Sequence, residues 1–329
     1  MTVTSTGNWQ PTASLDRLRA RANLLDDIRG FFRQAGVLEV ETPACSVFAT
    51  TDPALDCMTS SYTGPGAADG RALYLHTSPE FPMKRLLAAG SGAIYQICKV
   101  FRDGEAGRLH NPEFTLLEWY RPGFDHHLLM DEVERMVCSL LDGNCETERS
   151  SYGEVFDKYL ALDPHRATAD ELRQCALQQQ VPGAESIELP GRDAWLDLLM
   201  SHCIEPQLGR NGLCFVYDYP ASQASLACIR HDDPPVAERF ELYMDGLELA
   251  NGFHELADAA EQRKRFERDL EKRAESGKPM VPMDEHLLAA LENGLPPCAG
   301  VALGIDRLLM RLTGASHLDE VLAFPLDRA

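Results

Sequence analysis

Two glutamates, Glu241 and Glu248, lie on either side of Asp245-Gly246, a dipeptide that favours a two-residue turn between antiparallel strands. With such a turn, Glu241 would lie opposite Ala250, and the two glutamates would be diagonal neighbours on one face of the hairpin. Two carboxylates at that separation repel each other unless a divalent cation lies between them. Hard oxygen ligands suit Mg²⁺ that also holds substrate phosphates. A solvated strand face fits this pattern equally well, so the pair alone leaves both interpretations open.

Two arginines stand where a phosphate could approach the backbone. Arg102 lies in a charged loop, 101–114, between two predicted strands, and Arg307 begins a helix directly after a glycine-rich strand. The planar guanidinium matches phosphate oxygens, and the glycines at Gly300 and Gly304 leave room for a ligand. Either arginine alone is more typical of a surface ion pair. Together with the glutamate pair, the two arginines favour phosphate binding.

Three further glutamates lie beside strongly apolar segments, where an unpaired carboxylate is costly to bury: Glu80, Glu118 and Glu255. Tyr120 and Asn251 accompany them. A substrate with two ammonium groups would give such carboxylates partners. Ordinary ion pairs with Lys84 or Arg85 are the alternative, and the residue pattern by itself favours that alternative.

The acidic composition argues against a large nucleic-acid interface. The chain has 31 Lys and Arg against 51 Asp and Glu, a net charge of −20, whereas binding to a polyanion depends on clustered basic residues. The charge fits a protein or small-molecule partner, or it serves solubility alone. Because the sequence has neither a signal peptide nor a long apolar run, we expect a cytoplasmic protein without a membrane span.

The ten cysteines are scattered along the chain, without CxxC pairs and without a His/Cys cluster at zinc-ligand spacing. We therefore expect reduced, mostly buried thiols. Any bound metal should be held by oxygen ligands.

Helical and strand patterns predict an α+β fold. Apolar residues recur every three or four positions from Ser14 to Phe32 and predict a helix, which Gly36 ends. Strands are predicted at 37–41, 73–75, 93–98, 115–120, 213–217, 240–244 and 247–251, with helices at 82–89 and 257–274 and helical patterns through 125–209. Strands joined by hairpins favour an antiparallel sheet over a doubly wound one. Neither common glycine-rich nucleotide motif occurs, so a nucleotide would bind by another route.

Four ordered segments resemble the motifs of class II aminoacyl-tRNA synthetases, in their lysyl branch. Leu38-Glu-Val-Glu-Thr-Pro43 is similar to motif 1, and Gly304-Ile-Asp306-Arg307 is similar to motif 3. The stretch from Phe101-Arg102 through His110-Asn-Pro-Glu-Phe114 to Glu118-Trp-Tyr120 is similar to motif 2. Glu248-Leu-Ala-Asn251-Gly-Phe-His-Glu255-Leu resembles the lysyl-type amino-acid pocket.

The resemblance implies a class II synthetase catalytic fold, an antiparallel sheet flanked by helices. It would span 15–329 after an N-terminal tail of residues 1–14 and carry a helical insertion at about 125–209. Motif 1 implies a two-fold homodimer through Leu38 to Pro43. Too few residues precede the first helix to form the anticodon-binding domain of lysyl-tRNA synthetases, so tRNA is not an expected partner. The chain is most similar to truncated paralogues that attach (R)-β-lysine to a lysine of translation elongation factor P.

The resemblance also assigns roles to individual residues. The amino-acid pocket would comprise Ser78, Pro79, Glu80, Glu118, Tyr120, Asn251, Glu255 and Ala302. The ATP contacts would be Arg102, Asp103, Gly104, Asn111, Glu248, Leu249, Gly304 and Arg307, with Arg102 and Arg307 as the catalytic pair. Glu241 and Glu248 would hold Mg²⁺.

Two positions depart from the family pattern. Ala302 stands where lysyl-tRNA synthetases have glycine, and its methyl group would favour β-lysine over α-lysine. Gly104 stands where the family usually has glutamate, with Glu105 next to it, which leaves the adenine contacts of that loop open.

The implied mechanism is attack of the amino-acid carboxylate on the α-phosphate of ATP, followed by transfer of the adenylate to the ε-amine of an acceptor lysine. Two alternatives remain. One is a truncated synthetase that charges tRNA or another carrier with α-lysine. The other is a catalytically idle, amino-acid-binding regulatory subunit, which the retention of both arginines and both glutamates disfavours.

Overall fold

The computed structural model describes residues 9–141 and 145–329 of the chain, which divides into two units. The first comprises the described part of Met1–Pro122 together with Ala257–Pro296 and Ala302–Ala329. The second comprises the described part of Gly123–Leu256 together with Pro297–Val301. Of the predicted N-terminal tail, residues 1–8 lie outside the described residues.

The helices of the described residues are α1 (Leu15–Gln34), α2 (Glu80–Ala88), α3 (His126–Leu140), α4 (Tyr152–Leu160), α5 (Ala169–Gln178), α6 (Gly191–Leu199), α7 (Ala259–Glu275), α8 (Glu285–Gly294) and α9 (Ile305–Thr313). The strands are β1 (Leu38–Glu39), β2 (Cys45–Ser46), β3 (Thr59–Tyr62), β4 (Arg71–Leu75), β5 (Ile94–Phe101), β6 (Glu113–Pro122), β7 (Glu146–Ser151), β8 (Gly212–Pro220), β9 (Ile229–Arg230), β10 (Val236–Met244), β11 (Leu247–His254) and β12 (Cys298–Gly304). None of the described helices is both long enough and apolar enough to span a membrane.

In the first unit, helix α1 packs through the apolar stripe that its sequence predicts. Ser14 caps the helix, and Leu24, Ile28 and Phe32 are buried. The Phe32 ring stacks on Tyr95 of β5, with the ring centroids 4.4 Å apart. Burial of this stripe fixes the helix against the strand pair that carries the candidate site.

Strands β5 and β6 form the long antiparallel pair of the first unit. Their register runs from Ile94 opposite Tyr120 to Phe101 opposite Glu113. The short β1 pairs in parallel with the start of β5. Strands β2, β4 and β3 form a separate antiparallel sheet in that order.

In the second unit, β10 is the central strand. It pairs antiparallel with β8 and β11 and, at its start, with β9. Strand β7 pairs in parallel with β8. Side chains of α4 and α6 share one buried cluster with side chains of β8 and β10, among them Phe156, Leu196, Val216 and Tyr243.

The predicted α+β class is confirmed, but the sheets are mixed rather than purely antiparallel. The pairs β1 with β5 and β7 with β8 are parallel. Parallel pairing requires a long crossover connection, and each of these connections contains helices. Strand β7 lies inside 125–209, where the sequence shows only helical patterns. Its residues, Glu-Thr-Glu-Arg-Ser-Ser, carry no apolar alternation that could have revealed a strand.

The expectation of reduced thiols is wrong for one pair, because Cys138 and Cys145 form a disulfide with their Cα atoms 5.7 Å apart. Cys138 lies in α3, and Cys145 directly precedes β7. Of the free cysteines, only Cys175, Cys214 and Cys298 are fully buried, and Cys45 is exposed.

Candidate active site

A buried carboxylate forms the centre of the predicted amino-acid pocket in the first unit. Glu118 of β6 is only 2% exposed. Ser78 Oγ donates a hydrogen bond to its Oε2, and the Tyr120 hydroxyl donates to its Oε1, each at 2.7 Å. The structure therefore brings Ser78 to Glu118 and Tyr120, although Ser78 lies 40 positions before Glu118 in the sequence. Two hydroxyl donors orient the carboxylate, which is the kind of group that could bind a cationic substrate group.

The predicted alternative for Glu80 is also present. Lys84 Nζ lies 2.7 Å from Glu80 Oε1, and the Lys84 side chain is almost fully buried. Glu80 opens helix α2 directly after Pro79, and its N–H donates to Ser78 Oγ at 3.0 Å. Glu80 thus forms an ion pair with the lysine one helical turn further along α2.

Two arginines and a histidine meet in the first unit. Arg307 Nη2 lies 2.8 Å from His110 Nε2. Local desolvation and the nearby charges of Arg307 and Arg102 lower the pKa of His110, although Glu105 acts in the opposite direction. The imidazole is therefore neutral at physiological pH. The two cationic side chains that affect His110 make this position suitable for an anion such as phosphate.

The Arg102 guanidinium contacts two neighbouring side chains but keeps one donor without a hydrogen-bond partner in the described part of the chain. It lies over the Phe114 ring, 5.0 Å from the centroid, and 3.7 Å from Glu105 Oε1. Its Nε is buried without a hydrogen-bond partner in the described part of the chain. Backbone bonds from Arg102 to Pro112 fix the base of the loop. An incoming oxygen anion would satisfy the remaining donor.

The neighbours of Arg307 fix the start of α9. Asp306 is 2% exposed, forms an ion pair with Arg21 of α1, and accepts a hydrogen bond from the Thr115 N–H at 2.7 Å. Gly304 is the N-cap of α9, and a methyl group there would meet only the Arg307 side chain, at 3.8 Å or more. Gly304 therefore leaves the backbone accessible beside the Arg307 side chain, which is compatible with close approach of a ligand.

The other predicted ATP contacts of the first unit lie on the loop after β5. Asp103 and Gly104 are exposed, and the φ of +79° at Gly104 explains why a glycine suits this turn. Asn111 is buried, with its amide donating to the Glu113 carbonyl and accepting from the Leu326 N–H. Both ends of this amide are occupied within the chain, which indicates that Asn111 orders the loop.

The predicted hairpin is present in the second unit, with a change in register. Asp245 and Gly246 form the two-residue turn, both at positive φ. Glu241 lies opposite Asn251, not opposite Ala250 as expected, because Leu249 is skipped in the pairing as a β-bulge. Glu241 and Glu248 still share one face, since Tyr243, two residues after Glu241, pairs directly with Glu248.

The Glu241 carboxylate is buried in a network of donors. It forms an ion pair with Arg239 and accepts hydrogen bonds from the Tyr243 hydroxyl and from Asn251 Nδ2, the last at 3.0 Å. Burial and the Glu241 charge raise the pKa of Tyr243 well above its usual range. The phenol therefore stays protonated and donates.

This donor set is compatible with a magnesium ion held mainly by substrate phosphates. The Glu241 carboxylate and the Glu248 carboxylate on the same face would be its two oxygen ligands. Mg²⁺ commonly binds through one or two carboxylates together with phosphates and water, so two ligands are enough.

The remaining predicted residues of the second unit lie in β11 or directly after it. Asn251 contributes the amide that contacts Glu241, and the side chain of Leu249 is 2% exposed. Glu255 is 3% exposed, and its N–H donates to the Cys298 carbonyl at 2.9 Å.

Ala302, the last predicted pocket residue, belongs to the first unit and is partly exposed near the end of β12.

A cavity of about 410 Å³ in the second unit contains more polar groups than the sequence suggested. It is lined by Tyr152, Asp197, Glu205, Tyr219, Arg239 and Glu241, among others. Within the described residues, the Tyr152 hydroxyl and Arg239 Nε are buried without a hydrogen-bond partner. Desolvation raises the pKa of Asp197. A polar ligand or ordered water would satisfy these groups.

Several of these residues were not identified from the sequence. His110 lies within the segment that resembles motif 2, so its position was visible but its contact with Arg307 was not. The pairing of Arg239 with Glu241 could have been suspected, because residues two apart on a strand share a face.

Comparisons with known proteins agree with these motifs. A family model described as tRNA synthetases class II (D, K and N) matches residues 9–328. A protein of Photorhabdus laumondii subsp. laumondii is 52% identical over 328 residues, 99% of this chain and 100% of that protein. One of Vibrio cholerae serotype O1 is 54% identical over 325 residues, 98% of this chain and 99% of that protein. Both relatives are named elongation factor P–(R)-β-lysine ligase.

Proposed function

We propose that this chain, which belongs to the class II tRNA synthetase family, is an ATP-dependent ligase. It activates (R)-β-lysine as the adenylate and transfers it to the ε-amine of a lysine on translation elongation factor P. The observation that supports adenylation is the meeting of Arg102 and Arg307 at a neutral His110. The choice of β-lysine and of the acceptor rests on the names of relatives that match this chain along almost its whole length.

In the first half-reaction, a carboxylate oxygen of the amino acid attacks the α-phosphorus of ATP. A new P–O bond forms, the bond to the β-phosphate oxygen breaks, and pyrophosphate leaves. Arg102 and Arg307 stabilise the negative charge that develops during the transfer. Glu241 and Glu248 would hold Mg²⁺, which supplies additional charge neutralisation for the phosphates when it is bound.

The amino-acid pocket selects a dication through its carboxylates. In the first unit, Glu118, oriented by Ser78 and Tyr120, accepts one ammonium group of the substrate. The family resemblance also assigns Asn251 and Glu255 of the second unit to amino-acid binding. The Ala302 methyl group favours an amino group displaced from the α-carbon to the β-carbon.

In the second half-reaction, the acceptor amine attacks the carbonyl carbon of the adenylate. A C–N bond forms, the C–O bond to the phosphate breaks, and AMP leaves with an amide as the product. The mixed anhydride is already reactive, so the positioning of the two reactants contributes most of the rate. Because the acceptor is a translation factor, the protein acts in the cytoplasm, as a homodimer through the motif 1 segment.

The test is ATP–pyrophosphate exchange by the purified protein with Mg²⁺ and with (R)-β-lysine, α-lysine or no amino acid. Exchange that is strongest with β-lysine, followed by a mass increase of elongation factor P by one β-lysyl group, supports the proposal. Preferential exchange with α-lysine would restore the tRNA or carrier alternative. No exchange with either amino acid would favour a non-catalytic amino-acid-binding protein.

A further inference from the structure

Three potential metal ligands from separate stretches of the second unit lie close together: Cys228, Glu238 and His254. One ligand atom of each, a thiol sulfur, a carboxylate oxygen and a ring nitrogen, lies within 4.8 Å of the other two. Glu238 Oε2 is 2.5 Å from His254 Nδ1. All three residues are partly buried, so they are shielded yet reachable from solvent.

The backbone holds these three residues in place. The Cys228 N–H donates to the His254 carbonyl at 2.8 Å, and the Glu238 N–H donates to the Cys228 carbonyl at 2.9 Å. Next to them, Ala237 pairs with Ile229, and Ala227 forms a bridge with Glu255. The ligands therefore lie on adjacent strand segments whose spacing is set by main-chain hydrogen bonds. Sites on such a rigid scaffold are preorganised.

We propose that Cys228, Glu238 and His254 bind one divalent transition-metal ion of the zinc type. At Zn–S and Zn–N distances of about 2.3 and 2.0 Å, tetrahedral ligands lie about 3.3–3.8 Å apart, so small side-chain rotations suffice. A thiolate and a carboxylate balance the charge of the ion, and the neutral imidazole completes a three-ligand set. The fourth position is open to water or a small ligand.

The surroundings are compatible with this site. Arg230 Nη1 lies 3.8 Å from Glu238 Oε1, which leaves Oε2 on the His254 side. The Arg230 charge is already compensated by Asp218 and Asp232, at 2.6 and 2.5 Å. The Cys228 thiol donates to the Glu255 carbonyl at 3.2 Å, and metal binding would release that proton.

The sequence could not reveal this set, because the ligands follow no short metal-binding spacing. They are separated by the turn before β10 and by the whole β10–β11 hairpin, so only strand pairing brings them together. The proposal does not depend on the enzymatic function, because none of the three ligands is assigned to catalysis or substrate binding. The supporting backbone includes Glu255, which bridges Ala227 and accepts from the Cys228 thiol.

The test uses the full-length protein, stripped with a chelator and titrated with Co²⁺ in the absence of ATP and amino acid. Thiolate-to-cobalt absorption in the near ultraviolet, with one ion per chain and displacement by Zn²⁺, is expected. Cys228→Ser should abolish this absorption. Glu238→Gln and His254→Gln should weaken binding at least as much as the ~10–100-fold loss typical of outer-shell changes.

The exposed Cys45 provides the matched control, because Cys45→Ser removes a thiol of the first unit and should leave the titration unchanged. Circular dichroism of each variant establishes that it is folded. The proposal is overturned if folded Cys228→Ser keeps the absorption, or if His254→Gln and Glu238→Gln both bind Co²⁺ as tightly as the unmodified protein. Absence of any thiolate-to-cobalt band in the unmodified protein would overturn it equally.

Discussion

At the scale of single residues, the candidate phosphate site depends on two cationic side chains that lie near His110. Arg102 has one weak contact with Glu105, at 3.7 Å, and Arg307 contacts the neutral ring of His110. Two guanidinium groups that both act on His110 repel each other without an anion. Binding of a triphosphate would remove that repulsion, and the effect should be largest where negative charge develops during transfer.

Replacement of Arg102 by alanine should therefore lower the rate of ATP–pyrophosphate exchange by about 10²–10³-fold, the size of effect expected for loss of one charge-stabilising donor. Arg108→Ala is the control. Arg108 lies in the same loop but is exposed and donates only to the Ser316 carbonyl in the described structure. Equal activity of the two variants would contradict a catalytic role for Arg102.

The methyl group of Ala302 is expected to set the choice between two isomers of lysine. Ala302→Gly should shift the ratio of kcat/KM values toward α-lysine by about 10–200-fold, the usual effect of one methyl-sized change in a pocket. Pyrophosphate exchange with each amino acid measures this ratio. Leu303, the next residue of β12, is fully buried and points to the opposite face of the strand from Ala302. The shift in substrate preference should therefore be specific to Ala302. An unchanged ratio would show that the preference originates elsewhere.

The sequence predicted the types of residue in the candidate site better than it predicted the contacts between them. A glutamate beside apolar segments indicated a buried carboxylate, and Glu118 is one. For Glu80 the residue pattern favoured an ion pair with Lys84 or Arg85, and the pair with Lys84 is present. The contact of Glu241 with Arg239 follows from strand geometry and could have been predicted. The position of Asn251 opposite Glu241 could not, because it depends on a bulge.

At the scale of elements, the β10–β11 hairpin shows that a turn sequence can predict the loop without predicting the register of the strands. Asp245-Gly246 specified the loop, but the skipped Leu249 changes the register beyond it. No residue type marks this bulge, and it arises from the pairing of whole strands. The bulge brings Asn251 next to Glu241, so the donor network depends on it.

Gly252, directly opposite Phe240 in this hairpin, allows the two strands to pack. A methyl group at Gly252 would lie 2.5 Å from the Phe240 ring and 2.9 Å from Val301 Cβ. Gly252→Ala should lower the free energy of unfolding by about 2 kcal/mol through overpacking. Gly30→Ala is the control, because Gly30 of α1 has open space around it and alanine favours a helix by about 1 kcal/mol. Denaturant unfolding that ranks the two variants in the opposite order would contradict this account.

Helix α7 carries a carboxyl group whose pH dependence can be tested. Desolvation and the charge of Asp52 raise the pKa of Asp269 to about 6, from a usual value of 3.8. A raised carboxyl pKa favours folding below the unfolded pKa, and this contribution is lost as pH rises through about 6. Above pH 6, the folded protein therefore carries an unfavourable buried charge.

Asp269→Asn should consequently raise the free energy of unfolding by roughly 2 kcal/mol at pH 8, from a shift of about two pKa units. At pH 4 it should have little effect, because the carboxyl group is then largely protonated in the folded state. Thermal unfolding at the two pH values measures the difference. Asp26→Asn, at an exposed position of α1, should show no such pH dependence. An equal gain for Asp269→Asn at both pH values would refute the buried-charge explanation.

At the scale of the whole molecule, periodicity predicted the fold class but not the full pairing of strands. Hairpins have local signals, and the sequence located them. The parallel pairs are made by the two-residue β1 and the polar β7, whose partners lie beyond long connections that contain helices. The alternation at 37–41 predicted β1 but not its parallel partner. The polar β7 has no apolar alternation, because its hydrogen bonds rather than a buried face hold it in place.

The short β1 strand also carries the predicted dimer interface. Leu38 is 57% exposed in the isolated chain, and burial of a leucine contributes about 2 kcal/mol, twice in a two-fold interface. Leu38→Glu should therefore shift the protein from dimer to monomer in sedimentation velocity at micromolar concentration.

Met280→Glu is the control variant. Met280 is equally exposed, at 57%, and its replacement adds the same charge elsewhere. Because each chain carries a net charge of −20, salt should strengthen the dimer of the Met280 variant by screening repulsion, whereas the Leu38 variant should stay monomeric. Identical sedimentation of the two variants would place the interface outside motif 1.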